Sequence, residues 1–280
     1  MKWKILNISI PVKDLVRSKS FYEMLLGREN INNKEIDLIF GQDKSCFFGF
    51  QGFGVRLFKP KPDLLLKGKL QSRRSFITIL VEEIESIINK LKQNDYPFLC
   101  KKSKELTSVL VQEPSLNLIQ FVKNISLFDQ EIDVSNMGLN WGIHHMNIES
   151  LDVRQSVEFF NIIAGMSEGR WVAPKNKGDF SINPKKLSIF PVSSDHKGLH
   201  IIEPDEGFAF RNNFIHNPSI GGHPAFTVKD LHKTIQLLKK KKVLFSDAKV
   251  YAMPGFHQIY LYDINSNILE INQAVKRRSK

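Results

Sequence analysis

One short pattern, a strand followed by an acidic residue and then a helix, returns four times along the chain. It reads NISIPVKDLVRSKSFYEMLLG from Asn7, FITILVEEIESIINKLKQ from Phe76, HMNIESLDVRQSVEFFNIIAG from His145 and HPAFTVKDLHKTIQLLKKK from His223. In each copy the first residues alternate as strands do. An acidic residue (Asp14, Glu83, Asp152 or Asp230) follows seven positions after the start, and apolar residues then recur at helical spacing. The starts lie 69, 69 and 78 residues apart, so four units fill the chain. Such a repeat restricts the fold severely, because every unit must build the same supersecondary structure and bury its apolar face against a neighbour.

After each predicted helix come short apolar stretches broken by Gly, Pro, Asn or Asp, such as FGFQGFGVRLF and GFHQIYLYDINSNILEIN. These fit antiparallel strands joined by tight turns, which makes each unit βαβββ and the fold class α+β. The polar, acidic stretch at residues 126–140 reads as a linker and divides the chain into halves of two units each, residues 1–128 and 138–275. A second irregular stretch, Pro204 to Gly222, explains the longer last interval and reads either as a pocket wall or lid or as a surface insertion.

Composition narrows the class further. The chain has 280 residues, 42% of them hydrophobic and 25% charged, and no apolar run approaches the ~18 residues of a membrane span. The N-terminal sequence alternates like a strand and lacks a signal-peptide cleavage pattern, so a cytoplasmic protein is expected. Cys46 and Cys100 share no motif spacing and are expected to be buried thiols. The net charge of +11 is spread, with dense runs only at Lys239–Lys242 and in the tail Lys276, Arg277, Arg278, Lys280. Without a helix-turn-helix, RRM or zinc-finger pattern, that distribution argues for solvated faces rather than nucleic-acid recognition.

The strand-helix runs quoted above, together with HHMNIESLDVRQSVEFF and the ending IYLYDINSNILEIN, resemble the vicinal-oxygen-chelate superfamily of glyoxalases, bleomycin resistance proteins and extradiol dioxygenases. The resemblance covers nearly the whole chain. It implies two glyoxalase-like domains of four βαβββ modules with curved mixed sheets around a cavity. In that family, metal ligands come from the first and last strands of each module. The corresponding positions in the first half are Asn7, Arg56, Phe76 and Gln120, and in the second His145, His200, His223 and Glu270. Only the second half can hold a metal there, which makes the first a degenerate domain without ligands.

His145, His223 and Glu270 are therefore the implied metal ligands. Two imidazoles and one carboxylate leave coordination positions open, the arrangement of non-haem Fe(II) oxygenases. Fe(II) is the favoured ion, with Mn(II), Zn(II), Ni(II) or Co(II) as alternatives that ligand type alone does not separate. His200 is either a fourth ligand or an acid or base, while His216 and His257 are weaker candidates for the same pocket. His144 should point to the opposite face of its strand by the period of two. Tyr260 stands ten residues before Glu270, where the extradiol members place a tyrosine that bonds the substrate hydroxyl. Nine residues before it, where those enzymes often carry a histidine, this chain has Tyr251. Arg170, Trp171 and Arg211 are either cavity residues that could bind an acidic or aromatic group or surface residues.

The resemblance thus implies a metal-dependent dioxygenase acting on a small substrate with vicinal oxygens, an anionic one being compatible with the basic charge. The alternatives are a glyoxalase-like lyase or isomerase with a redox-inert divalent metal, and a non-catalytic binding protein of the resistance type. No nucleic acid or membrane partner is expected, and homo-oligomerisation is compatible with the pattern.

Overall fold

The computed structural model of the protein describes residues 1–27, 45–50, 52–60, 74–128, 139–175, 179 and 181–275. The centre of the expected linker, residues 129–138, and the basic tail from Lys276 lie outside the described residues. Two seven-stranded sheets account for the strands. The first contains β1 (Trp3–Pro11), β2 (Ser45–Phe50), β3 (Phe53–Phe58), β4 (Phe76–Val81), β5 (Phe98–Lys102), β6 (Leu106–Gln112) and β7 (Leu118–Asn124), in the order β2-β3-β1-β4-β7-β6-β5. The second contains β8 (Trp141–Glu149), β9 (Leu187–Pro191), β10 (Gly198–Ile202), β11 (His223–Val228), β12 (Ser246–Lys249), β13 (Phe256–Tyr262) and β14 (Ile268–Ala274), in the order β12-β13-β14-β11-β8-β10-β9. Each sheet holds two βαβββ modules that meet along an antiparallel seam, β1/β4 or β8/β11, and each seam strand pairs in parallel with a strand of its own module on the other side. The α+β architecture implied by the repeat is the one observed.

Helices α1 (Leu15–Leu26), α2 (Ile84–Gln93), α3 (Val153–Ile162) and α4 (Leu231–Lys240) follow the first strand of each module. The acidic residue of the repeat starts three of them as an N-cap. The side chains of Asp14, Asp152 and Asp230 accept from the backbone N–H of Arg17, Gln155 and Lys233 at 3.1, 3.0 and 2.9 Å. Glu83 precedes α2 without a side-chain cap, since its longer side chain is a poorer fit to that turn.

Strand alternation sorts the two faces of each sheet. On one face Ile8, Ile10, Val55, Leu57, Ile77, Ile79, Met146, Ile148, Leu199, Ile201, Phe226, Leu269 and Ile271 join a single buried cluster that includes residues of all four helices and spans both halves. Each such side chain contributes roughly 1.5–3 kcal/mol on leaving water. Polar ties reinforce the contact between halves: Trp141 Nε1 donates to the Leu26 carbonyl at 2.7 Å, the Tyr22 hydroxyl to Asp263 at 3.0 Å, and Ser156 Oγ to the buried carboxylate of Glu113 at 2.6 Å. The opposite faces carry the polar strand residues, and there the two halves differ.

Both seam strands bulge at the same place. Ala225 and Phe226 pair with His145 and Ile143, which leaves His144 as the extra residue, and the corresponding extra residue in the first sheet is Leu6. Cys46 is buried as expected, but Cys100 is exposed, because it lies on the edge strand β5. No helix among the described residues is long and apolar enough to cross a membrane.

Candidate metal centre and pocket

Three neighbouring strands bring His145, His223 and Glu270 together. In the pairing of β8, β11 and β14, Ala225 lies opposite both His145 and Glu270, so the small methyl of Ala225 separates the two larger side chains, and His223 lies two residues before it on the same face. His145 Nε2 and His223 Nε2 stand 3.6 and 3.5 Å from Glu270 Oε2, and the three ligand atoms lie within 4.8 Å of one another. All three residues are buried, and among the described residues this is the only such group of histidine, cysteine and carboxylate side chains.

The surroundings suit a cation. Burial by itself raises the Glu270 carboxyl pKa, yet hydrogen bonding and charge from His223 and the 2.8 Å bond from Asn272 Nδ2 leave it below the usual value. A buried carboxylate needs a partner, and among the described residues no lysine or arginine pairs with Glu270. Burial and the neighbouring histidines hold the His145 pKa well below its ordinary value, so its imidazole is neutral near pH 7 and has a lone pair to offer. His223 Nδ1 donates to the Pro218 carbonyl at 3.0 Å, so Nε2, whose proton faces Glu270 in the metal-free protein, is the nitrogen that would give its lone pair to an ion on losing that proton. The donor set therefore fits a divalent ion held by His145, His223 and Glu270.

In the first half the side chains around the corresponding positions bond one another. Thr78 Oγ1 donates to Gln120 Oε1 at 2.9 Å, Gln120 Nε2 donates to Ser108 Oγ at 2.9 Å, and Arg56 donates to Ser9 Oγ at 3.0 and 2.8 Å. Register places Ser9 beside Arg56 as it places Asn147 beside His200.

His200 lies beside the three ligands. Its ring stacks on His145 with centroids 3.9 Å apart, and its Nε2 lies 2.7 Å from the His196 carbonyl. A carbonyl only accepts, so Nε2 carries the proton and Nδ1 holds the lone pair. Burial keeps the His200 pKa well below its ordinary value. Tyr260 lies directly across from Glu270 in the β13/β14 pair and accepts from Gln258 Nε2 at 3.2 Å. Burial and the nearby Glu270 charge raise its pKa well above the ordinary phenol, so the hydroxyl remains a donor.

These residues open into a pocket of about 390 Å³, including space at its mouth. Trp171, Leu187, Ile202, Phe208 and Met253 give it apolar walls, and Asn147, Gln258 and Tyr251 add polar groups. The stretch from Pro204 to Gly222 is a wall, since it supplies Phe208 and Pro218. Asn147 Oδ1 is buried without a hydrogen-bond partner. Sequence reasoning missed Asn147 and Gln258, although the period of two marks both, two residues from His145 and from Tyr260.

Several expectations are corrected. His144 does not point away from His145, because the bulge turns both rings to the same side and brings their Nδ1 atoms to 2.9 Å. His216 bonds Ser246 and His257 bonds Asp247, and neither lines the pocket. Of the three cavity candidates only Trp171 lines it, its indole donating to the Ala252 carbonyl at 3.2 Å. Arg170 is exposed, and Arg211 pairs on the surface with Asp179 and Asp205. The described lining thus contains no lysine or arginine to meet an anionic substrate.

Two sheets of paired βαβββ modules, one of them cupping a histidine-carboxylate group, define the vicinal-oxygen-chelate fold. No family model and no curated protein matches the sequence. Solved structures do match over almost all of it: the homoprotocatechuate 2,3-dioxygenase of B. fuscum, seen in complex with HPCA, at 12% identity and a TM-score of 0.63, covering 98% of this chain and 71% of that one. A catechol 2,3-dioxygenase matches at 13% identity and a TM-score of 0.59, covering 99% and 96% of the two chains. The Mn(II)-bound glyoxalase of Novosphingobium aromaticivorans matches at 12% and 0.58, covering 98% and 82%. At such identities the likeness establishes the fold.

Proposed function

We propose that the protein is a metal-dependent enzyme of the vicinal-oxygen-chelate type, specifically an Fe(II) extradiol-type dioxygenase acting on a small substrate with two vicinal oxygens. Residues 138–275 are the catalytic domain in this reading, and residues 1–128 are a scaffold without metal. The observation that carries it is the placement of two buried imidazoles and a buried carboxylate on three adjacent strands at one end of an aromatic-walled pocket. When bound, the ion supplies a chelation point for two vicinal oxygens and, as Fe(II), a redox centre between substrate and dioxygen.

The protein's own residues supply orientation and proton handling. The lone pair of His200 Nδ1 accepts a proton from the substrate hydroxyl and returns it later. The Tyr260 hydroxyl donates to a substrate oxygen, and the unpartnered Asn147 Oδ1 accepts from another hydroxyl. Trp171, Leu187, Phe208 and Met253 exclude water and favour a flat, uncharged ring.

A second reading, a lyase or isomerase with a redox-inert metal, is favoured by Tyr251. Its hydroxyl donates to Asn212 at 2.7 Å, and burial and Asp179 keep it protonated, so this side of the pocket has no imidazole. The deciding experiment is anaerobic reconstitution with Fe(II) followed by O2 uptake with a panel of catechols, beside Zn(II)-, Ni(II)- and Mn(II)-loaded samples offered hemithioacetals. Fe(II)-specific uptake abolished by His145→Ala supports the dioxygenase. Turnover with Zn(II) or Ni(II) and no oxygen consumption selects the second reading, and tight ligand binding with no turnover in any arm selects a resistance-type binding protein.

A further inference from the structure

We propose that His144 is a positioning residue for the metal centre: its Nδ1 accepts the Nδ1–H of His145 and so holds the His145 Nε2 lone pair toward Glu270 and His223. The inference rests on His145, His223 and Glu270 being metal ligands. The two Nδ1 atoms are 2.9 Å apart, a hydrogen-bond distance that requires one ring to donate and the other to accept. If His144 donates, the proton of neutral His145 sits on Nε2, facing Glu270, and blocks the lone pair a metal needs. If His145 donates, Nε2 is bare and aimed at the site. In either arrangement His144 Nε2 is buried without a partner, as a lone pair in the first and as an N–H in the second. Leaving it so costs about 1–3 kcal/mol. An imidazole that only filled space would not need to carry such a group.

The rest of the strand is built to hold this contact. The bulge at His144 turns consecutive side chains to one side, and Phe256 packs edge-on against the His144 ring at 4.8 Å, fixing its plane. The first half offers an internal control: its bulge residue is Leu6, buried in an apolar cluster, beside Asn7 in place of a ligand. The half with metal-ligating side chains has a hydrogen-bonding bulge residue, and the half without them has an apolar one. Ligating imidazoles ordinarily donate to a carboxylate, carbonyl or water. A neutral imidazole fixes the tautomer without adding negative charge, so Glu270 remains the only anionic ligand of the centre.

The test compares Zn(II) affinity, by competition with a chelator at pH 7.5, for the full-length wild type, His144→Phe and His144→Asn, with side-chain ¹⁵N NMR of His145 in the Zn(II)-loaded wild type. The phenyl ring keeps the packing and removes the acceptor, whereas the asparagine Oδ1 can stand where Nδ1 stood. Expected are a ten- to hundredfold weaker affinity for His144→Phe, an unchanged metal-free thermal midpoint for that variant, recovery of most of the affinity in His144→Asn, and a His145 Nδ1–H bonded to a histidine nitrogen. Wild-type affinity in His144→Phe, equal loss in both variants, or a His145 Nδ1–H with no nitrogen acceptor overturns the proposal. Should either variant fail to fold, the NMR result on the wild type decides alone. If His145→Ala and Glu270→Ala also keep wild-type Zn(II) affinity, the ligand assignment fails, an outcome distinct from failure of His144 by itself.

Discussion

The imidazole of His200 lies flat against that of His145, centroids 3.9 Å apart and planes 20° from parallel, while its Nε2 bonds the His196 carbonyl. His145 faces Glu270, both rings line the pocket, and the lone pair of His200 is on Nδ1. Under the proposed function, stacking would divide two tasks between adjacent histidines, metal ligation for His145 and proton transfer for His200.

His200→Phe should preserve the stack and remove the base. Metal content is expected to stay near wild type, while turnover of the best substrate falls roughly 10²- to 10⁴-fold. Parallel metal analysis and steady-state kinetics check this, and metal lost along with activity would make His200 a ligand.

Metal content should depend on three side chains of the second half and none of the first. His145→Ala, His223→Ala and Glu270→Ala are each expected to lose near-stoichiometric metal after dialysis, whereas Asn7→Ala keeps it, because Asn7 only donates to the Gly52 carbonyl at 3.2 Å. Elemental analysis of the four proteins is sufficient, and retained metal in all of the first three would remove the site.

The metal-free protein should lose stability in acid. Burial lowers the His144 pKa from 6.5 to about 4 and moves His145 and His200 in the same direction. The unfolded chain then binds more protons than the folded one below about pH 6.5, so stability is full above that value and is lost as pH falls toward 4. His144 alone accounts for on the order of 3 kcal/mol. Thermal melts of the metal-free protein across this range should show a falling midpoint, with a shallower fall in His144→Phe; a midpoint that rises on acidification contradicts the assignment.

Helix capping offers a test away from the site. Asp152→Ala should destabilise the protein by about 1 kcal/mol, since it removes the bond to the Gln155 N–H, whereas Glu83→Ala should change little. Urea midpoints distinguish the two, and equal losses would show that the acidic position acts through charge rather than through the cap.

The sequence by itself determined the features that depend on local chemistry. Alternation exposed the strands and an aspartate seven residues into each of three repeats marked a helix start, while the resemblance to the vicinal-oxygen-chelate superfamily made His145, His200, His223 and Glu270 the candidate site residues. Tertiary structure alone decided where His144 points, because a bulge is a property of pairing between β8 and β11 and no residue of β8 encodes its partner's register. It also decided the tautomer of His200, which depends on a carbonyl in the loop before β10, and the pocket walls, where Trp171 turns inward to bond Ala252 while Arg211 turns outward to bond Asp179 and Asp205. Strand and helix periods act over a few neighbouring residues, whereas bulge register, ring tautomer and wall contacts arise only when segments distant in the chain meet.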